Sequence, residues 1–349
     1  MHYVLAIHNA INLPQSDFMS IYRLIGRTRP GALFAVRPTQ STISWTSRIL
    51  PRRSYATYNR FESSGSTFNW SKNGKWVGLA GGGLGIFYIT HLEEAPYSHR
   101  RRFMWVSPGL ELLLGEQAYR QTLSEFRGGI LPDEHPDSVR VQRVMKRIIK
   151  QSGLEDLDWK IHVVHAPDSP PNAFVLPGGK VFVLRNILPI CANDDGLASV
   201  LAHETAHQVN RHIAEKMSYS PIYMALGIVM YTITGSSAVN RIVLNALFQL
   251  PASREMEAEA DYVGLMMMSK ACFNPSEAVH MWERMSAYEK KMSRTGGQVP
   301  EFLSTHPANQ SRINNIQGWM SEANSLRDQA GCDQGGVFNQ FVNIPRDFW

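Results

Sequence analysis

The sequence predicts an α+β fold, mainly helical, with a small sheet beside one central helix and a membrane helix near the front. Three stretches carry this reading. Residues 197–212, LASVLAHETAHQVNRH, and 253–265, SREMEAEADYVGL, are helical in period, and each sets metal-binding side chains one turn apart. Residues 172–183, NAFVLPGGKVFV, alternate around Pro177-Gly178-Gly179 and read as two short strands joined by a tight turn. With 349 residues, 44% of them hydrophobic, the chain is long enough to bury a sizeable core.

The front of the chain, 1–55, carries no fold signal. It holds Arg23, Arg27, Arg29, Arg37, Arg48, Arg52 and Arg53, no lysine and a single acid, Asp17. This segment alone exceeds the whole net charge of +5, so the remainder is close to neutral and the basic total gives no argument for nucleic acid. Arginine-rich, acid-poor composition is that of a mitochondrial transit peptide. Arg53-Ser54-Tyr55-Ala56 has the form cut by the matrix processing peptidase, between Tyr55 and Ala56.

Residues 76–92, WVGLAGGGLGIFYITHL, contain no Asp, Glu, Lys or Arg. That length sits at the lower limit for a transmembrane helix, roughly 17 residues. Gly78/Gly82 and Gly81/Gly85 form GxxxG pairs, the spacing that lets two membrane helices approach, so a homo-oligomer is worth testing. A single large domain is expected over 109–325. Within it, 218–253 is apolar, broken only by Arg241, and reads as a membrane-facing or buried helical hairpin rather than a true span. The tail, 326–349, offers no motif. Cys191, Cys272 and Cys332 are odd in number and far apart, so they suggest no disulfide framework and no thiolate zinc site.

The helix over 197–212 contains His203-Glu204-Thr205-Ala206-His207. At about 100° per residue the two histidines lie about 40° apart on one face, near enough to share one zinc ion. Glu204 sits beside them, placed to take a proton from the attacking water. Asp194 or Asp195 with Gly196 is expected to start this helix. A catalytic zinc site wants three protein ligands and one open position. Glu257 supplies the third ligand from the second helix, and Asp261, four residues on, is placed to hold a ligating histidine by its free N–H. Glu255 and Glu259 point to the other side and are expected to be solvated.

This pairing of HExxH with a later ExxxD resembles the gluzincin membrane peptidases, which include the CAAX prenyl proteases and a bacterial heat-shock membrane protease. More closely it resembles the mitochondrial inner-membrane metalloendopeptidases of the OMA type. Residues 91–108 (HLEEAPYSHRRRFMWVSP), 171–183 (PNAFVLPGGKVFV) and 304–313 (STHPANQSRI) carry the closer likeness. The resemblance implies a gluzincin-like domain with one Zn2+ on His203, His207 and Glu257, and Glu204 as base. It further implies protein substrates in or near the inner membrane, quality control, and a peptidase domain facing the intermembrane space. Asn172 and Ala173 become the backbone clamps for an extended substrate. His306 becomes the donor to the oxyanion, with Arg312 bracing its loop. No GxxxxGK[ST] motif is present, so no unfolding motor is built in. A prenyl-protein protease would call for several clear spans. A membrane-anchored zinc scaffold or sensor without protease activity is the reading from another class.

Overall fold

A computed structural model describes residues 70–244, 250–294, 302, 306 and 310–332. The expected transit peptide and residues 333–349 of the tail lie outside them. The chain divides into two compact units, with a boundary between Phe87 and Tyr88.

Helix α1, Trp70–Thr90, covers most of the expected span, and Leu79, Leu84 and Ile86 on it are exposed. No described helix is long and apolar enough to cross a membrane. The uncharged part of α1, residues 76–90, is shorter than the roughly 17 residues a span needs, and its glycines add length without apolar surface.

From Tyr88 onward the chain builds around one helix. An antiparallel pair, β1 (Leu92–Glu94) and β2 (Arg101–Phe103), comes first. Then follow α2 (Pro108–Glu125), which is capped by the Ser107 hydroxyl, and α3 (Pro136–Ser152), which ends at Gly153 in the left-handed region. Three strands come next: β3 (Lys160–Val164), β4 (Ala173–Leu176) and β5 (Lys180–Leu184). Their order is β3-β5-β4, with β3 parallel and β4 antiparallel to β5. The foreseen hairpin is therefore β4-β5, turned by Gly178 and Gly179 at φ of 86° and 79°. The strand β3 had no alternating signal of its own; its pattern is half-exposed at one end and buried at the other.

A short helix α4, Leu188–Cys191, leads into α5, Asp194–Val209, the centre of the domain. Its cap is Asn193, whose Oδ1 accepts from the Gly196 N–H at 2.8 Å, while Asp194 and Asp195 occupy the first turn. Every residue from Gly196 to His207 is buried. A helix covered on all sides needs partners all round. They are α3, β4, α8 (Leu250–Lys270) and α9 (Ser276–Arg294).

The apolar region after His207 folds as α6, His212–Thr234, and α7, Ser237–Leu244, turned at Gly235. Asn240 Nδ2 donates to the Gly227 carbonyl across the hairpin at 3.1 Å. Ile222, Met224, Ile228, Val229 and Ile233 on α6 are exposed. Helix α10, Gln310–Gln329, closes the described domain. The cysteine expectation needs correction. Cys272 and Cys332 form a disulfide between the ends of α8 and α10, with Cα atoms 5.2 Å apart. Sixty residues separate them in sequence, and only the packing of α10 on α8 brings them together. Cys191 is buried and free, and burial pushes its thiol up to about 12.

Helix α8 meets α5 at Gly264, where a Cβ would lie 2.9 Å from the backbone nitrogen of His203. Backbone cannot swing aside as a side chain can. Gly264→Ala is expected to destabilise the domain by about 1–3 kcal/mol through this overpacking, read as a lower urea midpoint with unchanged slope.

Candidate active site

Helix α5 presents His203 and His207 on its buried face, and their Nε2 atoms lie 3.2 Å apart. Helix α8 brings Glu257 against them. Its Oε2 is 3.3 Å from His203 Nε2 and its Oε1 is 3.5 Å from His207 Nε2. Two donors on a tetrahedral zinc, each at about 2.0–2.1 Å, are about 3.3–3.4 Å apart. The three separations fit that requirement, and the donor set of two imidazoles and a carboxylate suits zinc chemistry.

His306 joins this group. Its Nδ1 is 2.8 Å from Glu257 Oε2 and 3.2 Å from His203 Nε2, and its Nε2 is 3.4 Å from Glu204 Oε1. One donor atom from each of His203, His207, Glu257 and His306 can be chosen so that all lie within 4.8 Å of one another. Phe302, fully buried, holds His306: its carbonyl accepts from the His306 N–H at 2.7 Å, and its ring stacks on Trp282.

Glu204 is buried, and burial raises its carboxyl above the usual range, an effect that His306 and His203 partly oppose. Such a group holds a proton more readily than a surface carboxylate, which suits a residue that must take one and give it back. Asp261 Oδ1 lies 3.0 Å from His203 Nδ1. Arg312 clamps Asp261 with two bonds, Nε to Oδ2 at 2.7 Å and Nη2 to Oδ1 at 2.6 Å, and its Nη1 is 3.2 Å from Glu257 Oε2. The guanidinium lies over the Trp282 ring, 3.8 Å from its centroid. Arg312 thus braces two acids of α8 directly, beyond the loop role expected of it.

One expectation changes here. Glu255 is exposed as foreseen, but Glu259 is buried. It accepts from His212 Nε2 at 2.9 Å, from Arg100 Nε at 2.9 Å and from the Ser98 hydroxyl. Burial would raise its carboxyl, but these bonds hold it down at about 2. Helix α8 is covered on both sides, so a position about 200° from Glu257 faces another packed surface rather than water. The visible signal was Arg100 to Arg102 beside a helix rich in acids. Nothing in the spacing named His212.

The substrate-clamp residues sit at the start of β4, which packs against α5. The Asn172 carbonyl accepts from the Leu184 N–H at 2.9 Å, so the sheet already uses it. In an antiparallel ladder the next residue faces the other way. The main chain of Ala173, and of Val175, is therefore turned to the outer edge of β4, where no strand pairs among the described residues.

The model of peptidase family M48 matches residues 136–320, which hold all the site residues above apart from Ser98 and Arg100. The chain belongs to peptidase family M48. Within that family it is similar to OMA-type members. The mitochondrial metalloendopeptidase OMA1 of Saccharomyces cerevisiae is 48% identical over 280 residues, covering 77% of this chain and 81% of the relative. Its namesake in Schizosaccharomyces pombe is 43% identical over 302 residues, covering 86% and 85%. A more distant likeness, 28% over 167 residues, is to the beta-barrel assembly-enhancing protease of Escherichia coli, covering 45% of this chain and 33% of the relative.

The M48 site carries one pH dependence. Burial disfavours charge on His203, but the hydrogen bonds of Asp261 and Glu257 outweigh it and raise the metal-free imidazole to about 9. Burial instead holds His207 well below its ordinary value. Below pH 9 a cation must therefore displace one proton from His203. Apparent zinc affinity is expected to weaken about tenfold for each unit of pH fall between 8 and 6.5, measured by chelator competition.

Proposed function

We propose that the chain is an ATP-independent zinc metalloendopeptidase of the mitochondrial inner membrane that cleaves membrane proteins in quality control. The M48 fold and the OMA-type relatives make it a metallopeptidase of the mitochondrion. The observation that carries the zinc reading is the convergence of His203, His207 and Glu257 at tetrahedral separations, with Glu204 beside them.

When bound, zinc supplies Lewis acidity that makes water a nucleophile near neutral pH. The other roles fall to side chains and backbone of the chain itself. An extended substrate adds to the outer edge of β4, where Ala173 and Val175 offer main-chain donors and acceptors. Binding through the backbone makes little demand on substrate side chains. Glu204 takes a proton from the water as it attacks the scissile carbonyl. It then delivers that proton to the leaving amine nitrogen, so the peptide C–N bond breaks with protons balanced. His306 donates to the carbonyl oxygen as negative charge grows there.

Several features support the membrane setting. Residues 1–55 have transit-peptide composition, and 76–92 is uncharged and carries the GxxxG pairs. The exposed apolar face of α6 is the kind of surface that rests in lipid. The peptidase domain would face the intermembrane space.

The test compares cleavage of an unfolded reporter by the protein in detergent, with zinc content measured alongside. Glu204→Gln is expected to keep one zinc per chain and to cut about 10²–10⁴-fold more slowly. Wild-type protein that holds zinc but cuts no reporter and no membrane protein would favour the scaffold or sensor.

A further inference from the structure

The metal face of α8 has a counterpart on the helix's other side. His207 directs Nε2 toward Glu257 and His203. If that nitrogen is to bind a cation, its proton must sit on Nδ1. His207 Nδ1 lies 2.7 Å from His212 Nδ1, in a fully buried contact. His212 must then accept at Nδ1 and carry its own proton on Nε2. That nitrogen lies 2.9 Å from Glu259 Oε2, which can only accept. The far end is held in turn. Glu259 Oε1 accepts from Arg100 Nε and from Ser98, both in the loop between β1 and β2. Arg100 continues to Glu215 of α6 by two bonds, at 2.7 and 2.9 Å. The His207 and His212 protons each have one assignable place, and both donations run away from the metal toward Glu259, where the donors from the β1-β2 loop meet them.

We propose that His212 and Glu259 are positioning residues for the metal ligand His207, fixing the tautomer that leaves Nε2 free for the metal, with Ser98 and Arg100 anchoring the far end. The inference rests on the metallopeptidase reading. It gives the two histidines different supports. His203 faces Asp261 directly, whereas His207 reaches its carboxylate through a second imidazole. It also gives the 98–100 loop, far from the metal in sequence, a role in holding the site.

The competing view is that the cluster only packs the β1-β2 loop against α6, which the Arg100–Glu215 pair would do alone. The two separate by zinc affinity, measured by chelator competition on the full chain in detergent, alongside the melting temperature of the metal-free protein. His212→Phe is expected to weaken zinc binding about ten- to a hundred-fold and to alter the visible spectrum of the cobalt-substituted protein. His212→Gln, whose amide can accept from His207 and donate to Glu259, is expected to restore most of the affinity. Glu259→Gln, a milder change that decides the matter should His212→Phe fail to fold, is expected to cost about tenfold. Wild-type zinc affinity and an unchanged cobalt spectrum in a folded variant would overturn the proposal. So would losses that follow only the metal-free melting temperature, with no recovery in His212→Gln. Wild-type protein that binds no zinc would instead bring down the metallopeptidase reading, and this inference with it.

Discussion

Helix α8 can lie against helix α5 because Gly264 has no side chain to hold them apart. The rest of the site depends on that contact. It sets Glu257 within 3.5 Å of both histidines and Asp261 at 3.0 Å from His203. Because α8 is wrapped on its other side as well, Glu259 is carried into a second buried cluster. Of four acids within seven residues, three work on the metal site from two faces of one helix, and only Glu255 is left to solvent.

So many buried charges would be costly without partners, because an unpaired buried ion destabilises by several kcal/mol. Two arginines meet the cost in parallel ways. Arg312 serves Asp261 and Glu257 while resting on Trp282. Arg100 serves Glu259 and Glu215. Each sits far in sequence from the acids it neutralises, Arg100 in the β1-β2 loop and Arg312 on α10. The active geometry is therefore tied to correct docking of both ends of the domain, the β1-β2 loop at one side and α10 at the other.

What the sequence made legible follows from local spacing. His203, Glu204 and His207 are fixed by one helix, and Glu257 with Asp261 by another, so their grouping needed only that the two helices meet. The β4-β5 hairpin was readable from alternation around two glycines. The missed features are those that no local period encodes. His212 and Glu259 meet across 47 residues, and Cys272 and Cys332 across 60. The strand β3 is found by its parallel partner rather than by its own pattern. Asn172 looked free because alternation does not say which carbonyl the ladder uses. The helix at 70–90 was legible from an uncharged run with paired glycines, and α1 covers most of that run.

The central claim is that one zinc ion binds between α5 and α8 on His203, His207 and Glu257. Anomalous scattering at the zinc edge, from crystals of zinc-loaded protein, tests it most directly. A single peak is expected within about 2.0–2.2 Å of His203 Nε2, His207 Nε2 and a Glu257 carboxylate oxygen. A peak bound through the Nδ1 atoms, or one that leaves out Glu257, would contradict it.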